Sequence, residues 1–365
     1  MNQTGGSKPT NWTFTYDVAG NRTESKATNV TTGDTISDQK LTYNAIGQIT
    51  NDGYDYDRTG NLTTAPGETY TYNGAQQMTS STKDGATTRY TYAGADMNKL
   101  LTQKTDGGAD YTYTYGTTDS NGVPVITART LAGTGTASVL SDPANGRALD
   151  LPTTDGTTSM WVIDGIGNPA AALTDQGTKA YTVQYSPYGA ETVSFGDNSA
   201  QWKQNPYGFK TGIRSSNTAT GLTKFGMRWQ AASTGAWIQR DTLDAPLSPS
   251  NANRYQYAGA DPINNADPSG RAVGPSAIGA VATGIGALAG AALCAASAGL
   301  GCFLGGIGLG IIFGGFGGIV EETVSGGDNY GSAALDGAVE GAITGAFAGV
   351  GGKVARFVVP GRRPL

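Results

Sequence analysis

Four segments in the first eighty residues share one frame: Tyr, Asp or Asn, two variable residues, Gly, Asn or Gln, a variable position and Thr. They are Tyr16-Asp17-Val18-Ala19-Gly20-Asn21-Arg22-Thr23, Tyr43-Asn44-Ala45-Ile46-Gly47-Gln48-Ile49-Thr50 and Tyr56-Asp57-Arg58-Thr59-Gly60-Asn61-Leu62-Thr63. A looser copy is Tyr72-Asn73-Gly74-Ala75-Gln76-Gln77-Met78-Thr79. Ahead of the anchors runs alternation of period two, as in Tyr54-Asp55-Tyr56, Tyr70-Thr71-Tyr72, Tyr90-Thr91-Tyr92 and Tyr111-Thr112-Tyr113-Thr114-Tyr115. Alternation puts Tyr on one face of a strand and Thr or Asp on the other. The Asp or Asn supplies a side-chain cap, and the Gly three residues later a positive-φ position, so each frame reads as a strand entering a tight turn. Thr resumes the next strand, where a branched Cβ is favoured. No hairpin of this size is stable alone, so the units must pair edge to edge. The anchors lie 27, 13 and 16 residues apart. A drifting period suits hairpins with variable loops better than a strict solenoid.

Composition closes many chemistries. The 365 residues include no His and only two Cys, which removes Ser-His-Asp and Cys-His nucleophiles, His-ligated zinc and a structural zinc site built from the chain alone. No metal and no cofactor is expected. A net charge of −5 argues against a nucleic-acid partner, which calls for a basic face. The opening residues, Met1 to Trp12, lack the apolar centre of an export signal, and the chain starts inside a repeat, which reads as a C-terminal fragment of a longer protein.

Beyond the frames, a succession of motifs follows in order. Trp161-Val162-Ile163-Asp164-Gly165-Ile166-Gly167-Asn168 leads to Leu173-Thr174-Asp175-Gln176-Gly177 and Tyr185-Ser186-Pro187-Tyr188-Gly189. Then come Tyr207-Gly208-Phe209, Thr220-Gly221-Leu222, Trp237-Ile238-Gln239-Arg240-Asp241 and Asn253-Arg254-Tyr255-Gln256-Tyr257, and last Asp267-Pro268-Ser269-Gly270. The frames resemble the YD repeats of RHS proteins, of Tc-toxin C subunits and of teneurins, and this succession is similar to the RHS repeat-associated core domain. The resemblance covers roughly residues 10–270. It implies a mainly β fold in which YD-repeat hairpins (1–160) form part of a curved RHS-type shell that is completed by the core domain (161–270). It also implies a polymorphic-toxin or delivery shell, secreted or on the cell surface, that encloses and releases a variable C-terminal segment. Upstream shell-forming repeats or a companion chain, and an immunity protein, are the partners it implies. The alternative is an adhesion module whose tyrosines bind carbohydrate.

In that family the carboxyl end of the core often carries an aspartic self-cleavage site. The positions matching it are Asp241 and Asp267, with the cut at Gly270–Arg271. Such a pair makes the chain at most a single-turnover autoprotease: one carboxylate activates water while a protonated partner polarises the scissile carbonyl. Departures are visible. Thr242-Leu243-Asp244 stands where the family often has Pro-x-Gly, Arg271 where it often has Leu, and Trp229-Gln230-Ala231 where many members have Tyr-Tyr-Asp. Asp244 and Asp261 are the alternatives should Asp241 point away, and Asp-Pro-x-Gly is also simply a good turn.

Past Gly270 the chain changes character. No charged residue occurs from Ala272 to Val320, a run of 49. Glycines recur every fourth residue at Gly306, Gly310, Gly314 and Gly318 and again at Gly337, Gly341, Gly345 and Gly349. On helices they would line a close-packing face. Residues 271–365 therefore read as a Gly/Ala-rich α-helical apolar tail: a glycine-zipper hairpin that enters membrane lipids, with a flexible linker packed inside the shell or a compact soluble helical domain as alternatives. Cys294 and Cys302 within it need no role beyond filling space.

Overall fold

The computed structural model describes residues 2–3, 9–119, 121–143, 146–242, 253–271 and 274–275. Asp244, both cysteines, the uncharged run beyond Pro275 and both glycine series lie outside them.

Each frame closes a turn in the same way. In the third, Asp57 Oδ1 accepts the backbone N–H groups of Thr59 at 2.9 Å and Asn61 at 2.8 Å. Asn61 Nδ2 donates back to Asp57 Oδ2 at 2.9 Å. The Gly60 N–H returns to the Asp57 carbonyl at 3.1 Å, with Gly60 at φ +91°. Asp17, Asn44 and Asn73 make the same two backbone bonds, to the second and fourth residues after them. So do Asp119 and Asp164, outside the four frames. The side chain thus satisfies two amides that the strands leave unpaired. In the looser fourth frame, Gln76 takes the left-handed position at φ +64°.

These turns join antiparallel strands into sheets. The first holds β1 (Asn2–Gln3), β2 (Thr10–Tyr16), β3 (Arg22–Asn29) and β4 (Thr35–Lys40) in sequence order. The second has nine strands: β5 (Asp55–Tyr56), β6 (Leu62–Ala65), β7 (Glu68–Tyr72), β8 (Met78–Lys83), β9 (Ala86–Ala93), β10 (Asp96–Thr105), β11 (Asp110–Thr118), β12 (Pro124–Leu131) and β13 (Gly135–Ser138). The third runs through β14 (Leu140–Ser141), β15 (Ala148–Pro152), β16 (Thr158–Ile163), β17 (Pro169–Thr174), β18 (Lys179–Tyr185) and β19 (Glu191–Phe195). Within each of these three sheets every strand pairs antiparallel with its sequence neighbours, so each is a meander.

The two faces of the wall differ as the alternation requires. On the outer face, threonine hydroxyls pair across strands: Thr71 with Thr79 at 2.8 Å, Thr91 with Thr102 at 2.7 Å and Thr130 with Thr136 at 2.7 Å. The inner face buries Tyr70, Tyr90, Tyr111, Tyr113 and Tyr181. The anchor tyrosines add a bond between successive units. Tyr43, Tyr72, Tyr92 and Tyr115 donate their hydroxyls to the carbonyls of Arg22, Leu62, Met78 and Leu100, at 3.0, 2.8, 2.9 and 2.8 Å. For the first three, the acceptor is the residue that leaves the preceding capped turn. Burial raises the Tyr72 and Tyr115 hydroxyls well above their ordinary value, so these donors stay protonated.

Against the inner face packs the remainder of this unit. It starts with α1 (Ala200–Gln204), capped by the Ser199 side chain on the Trp202 N–H. A four-stranded sheet follows: β20 (Ile213–Arg214), β21 (Leu222–Phe225), β22 (Arg228–Ala231) and β23 (Ala236–Trp237). Strands β21 and β22 are buried at every residue. A cluster of Phe209, Phe225, Trp237 and Tyr257, with ring centroids 5.1–6.3 Å apart, forms its centre. Specific bonds tie it to the wall. Trp229 Nε1 donates to the Tyr92 hydroxyl at 3.1 Å, Gln239 Nε2 to the Gln76 carbonyl at 2.7 Å, and the Tyr255 hydroxyl to the Gly60 carbonyl at 2.7 Å. The last pair, β24 (Asn265–Ala266) and β25 (Gly274–Pro275), brackets the Asp267 turn.

Tyr72→Phe removes the donor to the Leu62 carbonyl while keeping the ring. It is expected to lower stability by about 1–2 kcal/mol, read as a fall in the urea midpoint; an unchanged midpoint contradicts the stitching role.

Candidate functional site

Asp241 and Asp267 meet on a side chain that sequence reasoning did not single out. Arg228 Nη2 lies 2.8 Å from Asp241 Oδ2 and 3.3 Å from Asp267 Oδ2. Arg228 opens β22 just after the turn from β21. Its side chain is 6% exposed, against 16% for Asp241 and 1% for Asp267. Its Nη1 donates to the Arg254 carbonyl at 3.3 Å, and its Cζ stands 4.2 Å from the Trp237 ring centroid. Burial lowers the guanidinium from its ordinary value, and the charges of Asp241 and Asp267 oppose that shift. One cation facing two carboxylates is what makes so buried a cluster tolerable.

Each aspartate reaches this cluster from a different element. Asp241 is fixed by two bonds with Arg254, both at 3.0 Å: the Asp241 N–H donates to the Arg254 carbonyl, and the Arg254 side-chain Nε donates to the Asp241 carbonyl. Asp267 is fixed by a turn related to the wall turns, with the Ser269 hydroxyl where those use the second residue's N–H. The Gly270 N–H returns to the Asp267 carbonyl at 3.2 Å, with Gly270 at φ +64°. Asp267 Oδ1 accepts the Arg271 N–H at 3.0 Å and the Ser269 hydroxyl at 3.2 Å. Arg271 therefore stands where Asn61 stands after Asp57. The carboxylate oxygen that Asn61 fills in the wall turn is left here for Arg228.

The Gly270–Arg271 peptide is consequently held at both ends. Arg228 Nε donates to the Gly270 carbonyl at 2.6 Å, and the amide N–H lies on Asp267 Oδ1. The group against the carbonyl is thus a guanidinium, where the dyad scheme expected a protonated carboxyl. An open cavity of about 310 Å³ lies against this arrangement, with Asp241, Arg228, Gly270 and Met227 in its lining, room for water beside the carbonyl. Asp261, an alternative partner, instead caps its own turn, accepting from the Asn264 N–H at 3.1 Å and Asn264 Nδ2 at 2.8 Å. No local pattern in the sequence marks Arg228, whose partners Asp267 and Gly270 lie 39 and 42 residues away.

Comparison with known proteins bears on this fold. The profile of the family described as Teneurin YD-shell matches residues 1–263. The chain belongs to that family. YD-shell architecture also appears in solved structures at low identity. A crystal structure of TcdB2-TccC3-Cdc42 is 17% identical with a TM-score of 0.57. One of TcdB2-TccC3 without its hypervariable C-terminal region is 16% identical with a TM-score of 0.54. A Photorhabdus luminescens Tc holotoxin pore carrying a TccC3 variant is 16% identical with a TM-score of 0.52. Each match covers 72% of this chain and 13% of the other, so the chain spans a small share of those shells' length. Comparison with curated proteins returned no match.

The YD-shell chain also buries lysines near this site and elsewhere in its core. Lys224 on β21 is 1% exposed, and burial pushes its ammonium down to about 7, with Asp96 opposing. Lys210 is pushed down to about 8 by burial, opposed by Asp164 and Asp261. An unfolded lysine titrates near ~10.4. Above about pH 7 the unfolded chain therefore holds a proton that folded Lys224 has lost, and stability rises with pH by up to about 1.4 kcal/mol per unit. The penalty of the buried charge is complete below about pH 7. With no His to titrate nearby, Lys224→Met is expected to remove most of the rise between about pH 6.5 and pH 8 in urea midpoints. Equal slopes in the two proteins contradict this.

Proposed function

We propose that residues 1–270 are the closing portion of an RHS-type delivery shell, and that Asp241, Asp267 and Arg228 cut the chain once, at Gly270–Arg271, to free the segment that follows. Residues 1–160 supply wall, residues 161–270 the core-associated part, and residues 271–365 the released piece. The observation that carries the reading is the double grip on the Gly270–Arg271 peptide, by Arg228 Nε on its carbonyl and by Asp267 on its amide.

The chemistry balances as a hydrolysis. Water attacks the Gly270 carbonyl carbon and gives a proton to Asp241, while Arg228 stabilises the negative charge growing on the carbonyl oxygen. As the C–N bond breaks, the Arg271 nitrogen takes a proton through Asp267, and the two carboxyl groups return to their starting state. General acid–base assistance of this kind contributes ~10²–10⁴-fold, and one positioned oxyanion donor ~10²–10³-fold. No further turnover follows, since the substrate is the chain itself.

The shell reading has the fold of the Tc-toxin structures behind it. A companion chain completing the wall, an immunity protein and secretion belong to the same proposal. The tail's part, entering lipid as a glycine zipper, rests on sequence, since it lies outside the described residues. Among the described residues no helix is long and apolar enough to cross a membrane. The tyrosines that a carbohydrate-binding reading would present are packed on the inner face.

The Asp267 carboxylate has a structural and a chemical duty, and two substitutions separate them. Asn44 and Asn73 cap wall turns with the same bonds as the aspartates, so Asp267→Asn is expected to fold and remain a single 37.3 kDa chain. Wild type is expected to resolve into two fragments on incubation. Asp267→Ala loses the cap as well and is expected to be less stable by about 1–3 kcal/mol. Wild type that stays whole, or Asp267→Asn cut as fast as wild type, defeats the reading.

A further inference from the structure

The peptide held by Arg228 is also held from behind, by the turn that leads into Arg228. Residues Phe225–Arg228 join β21 to β22, and the Asp267–Gly270 turn lies on them backbone to backbone. The Met227 N–H donates to the Ser269 carbonyl at 3.0 Å. A Cβ on Gly226 would stand 2.1 Å from the Ser269 carbonyl oxygen and 2.4 Å from its carbon. A Cβ on Gly270 would stand 2.5 Å from the Phe225 carbonyl oxygen. At such separations a methyl group fits only if one backbone moves. Gly226 is also at φ +41°, a region that L side chains disfavour.

The turn is fixed in its own place by Lys224. The ammonium donates to the Met97 carbonyl at 2.8 Å, to the Asn98 carbonyl at 3.4 Å and to the Gly226 carbonyl. Met97 and Asn98 follow Asp96 at the start of β10 in the wall, so one buried amino group joins wall to turn. It sets the plane of the Gly226 peptide against which Ser269 rests. The order of contact is β10, Lys224, Gly226, Ser269 and then the Gly270–Arg271 peptide.

We propose that the β21–β22 turn is a positioning clamp for the scissile peptide, with Gly226 and Lys224 as its positioning residues. Neither touches the reacting atoms. Gly226 permits the close approach that sets the Gly270 carbonyl on Arg228 Nε, and Lys224 holds Gly226 where that approach works. The clamp rests on the self-cleavage reading for its purpose and on backbone contacts for its existence. It also makes the cut conditional on the wall, since Lys224 has its carbonyl partners only when the start of β10 is in place.

The test uses the full chain. Gly226→Ala and Lys224→Met are each expected to slow self-cleavage ~100-fold, the scale of an ångström-sized misplacement. Tyr72→Phe, a wall change that removes none of the clamp's bonds, is expected to leave the rate within a factor of about two, separating positioning from general destabilisation. In the uncut Asp267→Asn background, hydrogen exchange at the Met227 and Arg271 amides is expected to accelerate in both clamp variants, with the Thr71 amide in the wall unchanged. Where Gly226→Ala yields no folded chain, Lys224→Met decides alone. Unchanged exchange at Met227 and Arg271 overturns the clamp whether or not wild type cuts itself. Cleavage unaltered in both clamp variants overturns their positioning role. Wild type that never cuts, with exchange accelerated as expected, retains the clamp as a structural contact and removes the self-cleavage reading instead.

Discussion

A carboxylate or amide oxygen that accepts the backbone N–H groups of the second and fourth residues after it is the bond on which this molecule is built. It recurs at Asp17, Asn44, Asp57, Asn73, Asp119 and Asp164. Tight turns leave amides that neither strand can satisfy, and an unpaired buried amide costs about 1–3 kcal/mol. Once the turn is closed, the strands on either side are brought into register, tyrosines fall on one face and threonines on the other. The anchor tyrosine then fastens each unit to the one before it. Hairpins too short to be stable alone become a wall because these fastenings run from unit to unit.

The site at Asp267 is a variation on this bond. A wall turn of the Asp57 type spends one carboxylate oxygen on backbone and the other on the Asn side chain that follows glycine. At Asp267 the residue after glycine is Arg271, and the second oxygen faces Arg228 instead. An element that elsewhere only shapes the chain here sets one oxygen against a buried cation. That cation also holds Asp241 and the Gly270 carbonyl. Structure and chemistry therefore share a carboxylate, which is why the asparagine substitution distinguishes them where alanine does not.

What was legible in the sequence follows the range of each interaction. The frame was readable because cap and glycine lie within four residues, and alternation of Tyr with Thr revealed which face is buried. Asp164-Gly165-Ile166-Gly167-Asn168 was placed by its resemblance to core motifs, yet it folds as one more capped turn. The fourth frame was looser because Gln76 carries the positive φ that glycine carries elsewhere. Asp241 and Asp267 were identified as a pair by position in a family pattern, and the fold brings them to one guanidinium. Arg228 was not identified, because its bonds to Asp267 and Gly270 cross 39 and 42 residues and no local pattern marks their ends. Gly226 and Lys224 went unnoticed for the same reason: their value lies in which backbone they touch.

The mass of the amino-terminal product formed in ¹⁸O-labelled water tests the central claim most directly. Hydrolysis at the doubly held peptide predicts a fragment ending at Gly270 with one labelled oxygen in its new carboxylate. A chain that stays whole, a break at the acid-sensitive Asp267–Pro268 bond, or a Gly270 end without label contradicts it.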